Sequence, residues 1–248
     1  MQLIIYLLIS FCWCFPQDVT FKEKQKRYPR VRQAYSNYYP KVKKNLEQKS
    51  VPIESLRLYL RAFKKEREIE LWGQDPVTRK FRLLRSFEVC RLSGAVGPKR
   101  RQGDGQIPEG FYHLDRFNPA SSFHLSLGIN YPNRSDKILG TKGRLGGDIF
   151  IHGDCVTIGC LPITNPQIEE LYVYCVEAKN SGQKSIPVTI FPSRLTDREF
   201  ERLKHDYPTQ HEFIGLWSSL KKGYDYFNST KKLPTIEFLE TGDYLVKP

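Results

Sequence analysis

The sequence predicts a mainly β domain with flanking helices, an α+β fold, on three observations. Residues 55–93 carry short apolar runs, the first in strict alternation, separated by turn-forming residues, as in an antiparallel meander. Two later stretches carry apolar residues at helical spacing, one on each side of a strand-like IPVTIFP. The 248 residues, 40% hydrophobic and 13% aromatic, are enough to bury a substantial core as one domain with extensions.

MQLIIYLLISFCWCFPQ opens the chain with an apolar run of about fourteen residues, which suits a signal h-region and is short for a membrane span. Residues 1–17 are therefore expected to be a signal peptide or an N-terminal anchor, placing the protein in the periplasm or cell envelope with its N-terminus near a membrane. No Lys or Arg precedes the run and no A-x-A follows it, so cleavage and anchoring both stay open. Cys12 and Cys14 follow the bulky Phe11 and Trp13, where a lipoprotein signal needs a small residue.

Residues 18–50 are expected to be a basic arm. Between Lys22 and Lys49 stand ten Lys or Arg against two Glu, in a chain of formal net charge +12. That charge fits an anionic partner: nucleic acid, membrane headgroups or an acidic wall polymer. Tyr28, Tyr35, Tyr38 and Tyr39 are interleaved with it, but no nucleic-acid motif accompanies them, and the stretch reads as a solvated helical or irregular arm.

SLRLYLR, residues 55–61, puts Leu56, Leu58 and Leu60 on one face, as a half-buried strand does. IELW, a turn built on Gly73, Asp75 and Pro76, and FRLL read as strand, turn, strand, and FEVCRLSG extends the pattern. From Gly94 the chain turns to GAVGPKRRQGDGQIPEGFYHL, a long aperiodic stretch of the kind that carries function or is disordered. It contains no G-x-x-x-x-G-K-[ST] phosphate loop. Strands FYHL and FHLSLGI follow, and the Gly-rich LGTKGRLGGD leads into IFIHG.

NPQIEELYVYCVEAKNSG reads as a helix with Asn165 as N-cap, Pro166 at the first helical position and Gly182 at its end. TDREFERLKHDY opens with Thr196 and Glu199 in capping-box spacing. EFIGLWSSLKKGYDYF puts Phe213, Leu216, Trp217 and Leu220 on one stripe, so residues 196–248 are expected to form a helical extension packed on the domain.

The chemistry concentrates in IFIHGDCVTIGCLPIT, residues 149–164. As a metal site, His152, Cys155 and Cys160 lack partners: no CxxC or H-x3–5-H pair occurs elsewhere, and His113, His124, His205 and His211 stand singly. No metal or other cofactor is expected. A Cys155–Cys160 disulfide would close a very small loop, where stabilisation is least. The four cysteines beyond the leader permit two disulfides, but their uneven spacing does not resemble a disulfide scaffold. Cys90 and Cys175 read as buried free thiols and Cys155 as no part of the chemistry.

A nucleophile beside its base uses more of the residues. A thiol of ordinary pKa about 8.5 attacks as thiolate and gains from a neighbouring imidazole. His152 would close a buried strand, and Gly159 before Cys160 leaves room for a carbonyl substrate and aims backbone N–H groups at a developing oxyanion.

These residues resemble the L,D-transpeptidases of bacterial cell walls, which carry a histidine-glycine element followed by [ST]-H-G-C. His152-Gly153 and Thr157-Ile158-Gly159-Cys160 match in order. The chain is more similar to the YafK-type branch of this murein L,D-transpeptidase family over roughly residues 55 to 230, through SGAVGPKRRQGDGQIPEGFY, RFNPASSFHLSLGINYPN, GGDIFIHGDCVTIGC and LKKGYDYF. Ile158 stands where the wider family has histidine, and only seven residues separate His152 from Cys160; both features resemble that branch.

The resemblance implies a β-sandwich-like catalytic domain over residues 51–195 and peptidoglycan stem peptides as substrate. It also implies a thioester at a diaminopimelate-type L-centre, reached as an L,D-transpeptidase or as an amidase releasing a wall-linked protein or other amine. Cys160 is the expected nucleophile and His152 the general base. The Gly153 carbonyl is expected to orient the imidazole, with Asp154 a lesser candidate, and the N–H groups of Gly159 and Cys160 to receive the oxyanion. Lys99, Arg100 and Arg101 are the expected binders of stem-peptide carboxylates. The alternative from another class is a non-catalytic basic peptidoglycan-binding module.

Overall fold

The computed structural model describes residues 19–248, so the apolar run read as a leader lies outside the described residues. β1 (Leu58–Phe63), β2 (Glu68–Gln74) and β3 (Phe81–Glu88) form the expected antiparallel meander. With β4 (Gly110–Asn118), β5 (Ser126–Ile129), β6 (Phe150–His152), β7 (Leu161–Pro162) and β8 (Ile186–Phe191) they make one curled eight-stranded sheet of order β3-β2-β1-β8-β4-β5-β6-β7. The pairs β1/β8 and β6/β7 are parallel, the others antiparallel. The fold is the expected one, mainly β with flanking helices; the sheet is curled and helices cover it.

β1 is buried at every position, not half-buried, because both of its faces are covered. Leu58, Leu60 and Ala62 join the larger core with α4 (Asn165–Asn180). Tyr59 and Phe63 meet the other layer, built on α5 (Asp197–Asp206) and α6 (His211–Thr230). Arg61, between them, is held by Glu70 (Nε–Oε2 3.1 Å) and lies against the rings of Phe63, Tyr224 and Phe227 at 4.9–5.1 Å, so a buried cation is paired and faced by π-clouds.

The basic arm is helical, one of the two forms expected, but it is packed along one face and not a free arm. It forms α1 (Phe21–Lys26) and α2 (Pro29–Gln48), and Val31, Ala34, Tyr35, Val42 and Leu46 are buried against α4. Tyr35 donates to Glu177 Oε1 (2.7 Å), Lys22 pairs with the same carboxylate (2.7 Å), and Tyr172 donates to Gln25 (2.7 Å). α4 is thereby enclosed on almost every side, and its acidic residues are partnered: Glu169 by Asn37 and His124, Glu170 by Arg85.

α4 starts one residue earlier than expected. Thr164 is its N-cap, and Asn165 is the first helical residue. Only half of the capping box forms at α5, where Thr196 Oγ1 accepts from the Glu199 N–H while the Glu199 carboxylate turns to Lys65 (2.7 Å) and Arg202. α3 (Arg134–Leu139) lies between β5 and β6. The C-terminal extension is not helical throughout: α6 is followed by a hairpin, β9 (Thr235–Phe238) and β10 (Tyr244–Lys247), whose Tyr244 packs on Phe111. No helix among the described residues is long and apolar enough to cross a membrane.

Because α2 contributes fully buried side chains, Leu46→Ala is expected to lower stability by about 2–5 kcal/mol in urea denaturation. A solvated arm would leave the midpoint where it is.

Candidate active site

β6 and β7 pair in parallel with Ile151 opposite Leu161 and His152 opposite Pro162, so the strand end that carries the histidine lies beside the turn that ends in Cys160. His152 is buried and its ring lies on Phe123, centroids 4.7 Å apart. Its Nδ1 is 2.5 Å from the Gly153 carbonyl oxygen. Nδ1–H donates to that oxygen, which leaves the Nε2 lone pair to accept a proton. Burial pulls the imidazole below its ordinary pKa, against an opposing contribution from the Gly153 bond, so the ring is neutral at neutral pH.

Gly153 admits no side chain: a Cβ would fall 2.3 Å from Asn165 Oδ1 and 2.9 Å from the Phe123 carbonyl. Asn165 crowds this turn because its Oδ1 accepts the Asp154 N–H (2.9 Å). The residue read as a helix cap is thus the strap of the His-Gly-Asp turn. Asp154 itself is exposed at φ +58°, and Nδ1 of the ring is bonded to the Gly153 carbonyl instead of to its carboxylate.

Cys160 is half-buried, and its Sγ donates to the Asp148 carbonyl at 3.5 Å, not to the imidazole. Burial pushes the thiol pKa up and the Asp148 carboxylate adds to this, while a hydrogen bond from the Phe150 N–H and the charge of Lys99 pull it back. Asp148 is held by Arg116 (2.9 Å). His152 and Cys160 are therefore both in their neutral forms at neutral pH.

The turn before Cys160 is tied by Thr157. Its Oγ1 accepts from the N–H groups of Gly159 (3.2 Å) and Cys160 (2.8 Å) and donates to the Cys160 carbonyl (2.8 Å). The two groups expected to receive an oxyanion are engaged with this hydroxyl. Gly159, at φ +130°, backs onto the Gln106 carbonyl, 3.1 Å from where a Cβ would stand. Ile158 points to solvent, 90% exposed.

Gln106 belongs to the aperiodic 94–109 stretch, which is pinned by buried charges. Lys64 Nζ donates to the Gly97 and Ile107 carbonyls (2.9 and 3.0 Å) and pairs with Glu109 (2.9 Å). Asp104 takes Lys99 Nζ (2.6 Å) and the N–H groups of Arg100, Arg101 and Gln106. Of the three basic residues expected to bind carboxylates, Lys99 is buried in that pair and Arg100 is held by Asp136 (3.1 Å) and Glu212. Arg101 is exposed, with no ion pair among the described residues.

The cysteines depart from expectation. Cys90 and Cys155 form a disulfide, Cα atoms 5.7 Å apart, between residues 65 positions apart in sequence. Cys90 is half-buried just beyond β3, where its N–H donates to the Pro162 carbonyl of β7 (3.0 Å), and this contact carries it to the loop between His152 and Cys160. Such a pairing across the sheet leaves no trace in spacing. Cys175 is a buried free thiol, as expected.

Comparison with known proteins gives this arrangement a family. Residues 59–190 match the family model described as L,D-transpeptidase catalytic domain, YkuD. The chain is 39% identical over 191 residues to "Putative L,D-transpeptidase YafK" of Escherichia coli strain K12, covering 76% of this chain and 73% of the relative. Two solved structures overlap more loosely: the helical cell shape determining protein Pgp2 from Campylobacter jejuni (TM-score 0.45, 19% identity, 75% of this chain and 74% of that one) and Bd1075 of Bdellovibrio bacteriovorus (TM-score 0.40, 21% identity, 69% and 62%). The chain belongs to the YkuD L,D-transpeptidase catalytic-domain family, whose members are cysteine-dependent peptidoglycan enzymes.

Two substitutions probe the geometry. Asp148→Asn removes a negative charge beside the sulfur, so the midpoint of Cys160 alkylation by iodoacetamide against pH is expected to move to lower pH. Gly153→Ala forces the turn away from Asn165 and is expected to lower turnover of defined muropeptides by roughly 100-fold, the order of loss that a 1 Å misplacement brings, with the fold retained by circular dichroism.

Proposed function

We propose that the protein is an exported cell-envelope enzyme that cleaves and transfers peptidoglycan stem peptides through a thioester on Cys160. The observation that carries the reading is a half-buried thiol on the turn beside a neutral His152 whose Nδ1 is bonded to the Gly153 carbonyl and whose Nε2 is free to accept.

The thiol leaves the Asp148 carbonyl and gives its proton to Nε2 as the sulfur attacks the carbonyl carbon on the L-centre of a diaminopimelate-type residue. The C–N bond breaks, the leaving amine takes the proton from Nε2, and a thioester remains. An acceptor amine, or water, then gives a proton to Nε2 as it attacks the thioester, and the thiolate departs and is reprotonated. A wall-linked protein is one such leaving amine. The N–H groups of Gly159 and Cys160 receive the oxyanion when the Thr157 hydroxyl yields them, and Arg101 binds a stem-peptide carboxylate.

Mass spectrometry of products from sacculi and defined muropeptides tests this. A transpeptide or hydrolysed product is expected from the native protein and none from folded Cys160→Ala. Undiminished turnover by Cys160→Ala would remove the nucleophile from the mechanism. Salt-sensitive sacculus binding that survives Cys160→Ala and His152→Ala, with no product from any form, would leave a basic wall-binding module.

A further inference from the structure

We propose that the outer face of α1 and α2 docks on a bilayer that carries anionic phospholipid headgroups. This goes beyond the catalytic reading and does not depend on it. The inner face of the pair is fixed to α4 by Val31, Ala34, Val42 and Leu46 and by the Tyr35–Glu177 and Tyr172–Gln25 hydrogen bonds, so the outer face is a rigid platform and not a flexible arm. Of the ten Lys or Arg between Lys22 and Lys49, all but Lys22 are exposed.

These cations are left without counter-charges. Lys22 pairs with Glu177 and Lys43 approaches Glu47 at 3.9 Å, but Lys24, Lys26, Arg27, Lys41, Lys44 and Lys49 make no ion pair among the described residues. Elsewhere on the surface the cations are mixed: Arg82, Arg85, Arg116, Arg134, Arg202 and Lys247 each meet a carboxylate, while Lys80, Lys184 and Arg198 make no ion pair among the described residues but are scattered and not gathered on one helical pair. Nine exposed cations against two exposed carboxylates, Glu23 and Glu47, give this helical pair a net positive field, which is complementary to an anionic surface.

Two features select lipid among anionic surfaces. Val19 and Tyr28, at the N-terminal end of this layer, are 40% and 42% exposed, and a Tyr ring with a polar tip is the side chain that settles at headgroup depth. In the sequence, only five residues separate the apolar run ending at Phe15 from Phe21, the first residue of α1. An apolar run retained in a bilayer and these juxtamembrane cations would together supply the two signals that stable attachment takes.

Residues 19–248 hold every described helix and strand and all three apolar clusters, so that chain can be tested without the apolar run. Cosedimentation with phosphatidylcholine vesicles, with and without phosphatidylglycerol, is the measurement. Binding is expected only to the phosphatidylglycerol vesicles and is expected to fall as salt rises. Each surface-proximal cation is worth roughly a fivefold change in partition, so Lys41→Gln/Lys43→Gln/Lys44→Gln is expected to bind about a hundredfold more weakly with an unchanged melting temperature. Neutralising three exposed cations elsewhere, Lys80→Gln/Lys184→Gln/Arg198→Gln, is expected to leave binding unchanged. The proposal is overturned by absence of binding, by equal binding to pure phosphatidylcholine, or by equal loss in the two triple variants. It is also overturned if the α2 variant loses affinity for sacculi or for duplex DNA while keeping its affinity for vesicles.

Discussion

The ion pair between Lys64 and Glu109 is the contact on which the site is built. Both groups are removed from water, and every strong hydrogen-bonding direction is used: the ammonium meets two carbonyls and the carboxylate, and the carboxylate also accepts from the Gly97 N–H and the Trp217 indole. Removing one partner of such a pair costs about 3–5 kcal/mol, because a charge is then buried alone. Lys64 sits just beyond β1, Glu109 just before β4 and Trp217 in α6. One cluster thus fixes both ends of the 94–109 loop and ties it to the C-terminal extension, and that loop supports Gly159 from behind. The extension is in this sense part of the site, though none of its residues belongs to the reactive turn.

Within the site, the electrostatics keep the thiol and imidazole uncharged. Burial disfavours both ionised forms, and Asp148 adds to the effect on the sulfur. In the proposed reaction, the proton would therefore move between them during attack instead of beforehand, which suits a base whose Nδ1 is steadied by a carbonyl and not by a carboxylate. The thiol would be activated only when substrate displaces its bond to the Asp148 carbonyl.

The parts of this molecule legible in the sequence are those set by local pattern. Alternation gives β1, apolar runs around a Gly-Asp-Pro turn give β2 and β3, helical spacing gives α4 and α6, and the contiguous His-Gly and Thr-x-Gly-Cys elements give the turn that ends in Cys160. The polar α2 read as solvated because its partners are the acidic residues of α4, over a hundred positions away, and a Tyr–Glu hydrogen bond has no periodicity. Asn165 looked like a cap and straps Gly153; Lys99 and Arg100 looked like substrate ligands and are held by carboxylates of their own chain. The Cys90–Cys155 bridge exists because the β3 exit meets β7, a tertiary event. In each case the residue type was visible and its partner was not.

The three cysteines around the reactive turn also pose a problem of chemical selection. In the folded chain Cys90 is joined to Cys155 while Cys160, five residues away, is a free thiol. Thiol–disulfide exchange proceeds through the thiolate, and the burial and nearby carboxylate that hold the Cys160 thiol protonated remove it from that competition; Cys175, fully buried, is withdrawn in the same way. The environment that makes Cys160 a reluctant thiolate therefore also slows its capture by the neighbouring disulfide, so that restraint in reactivity and resistance to exchange have one physical origin.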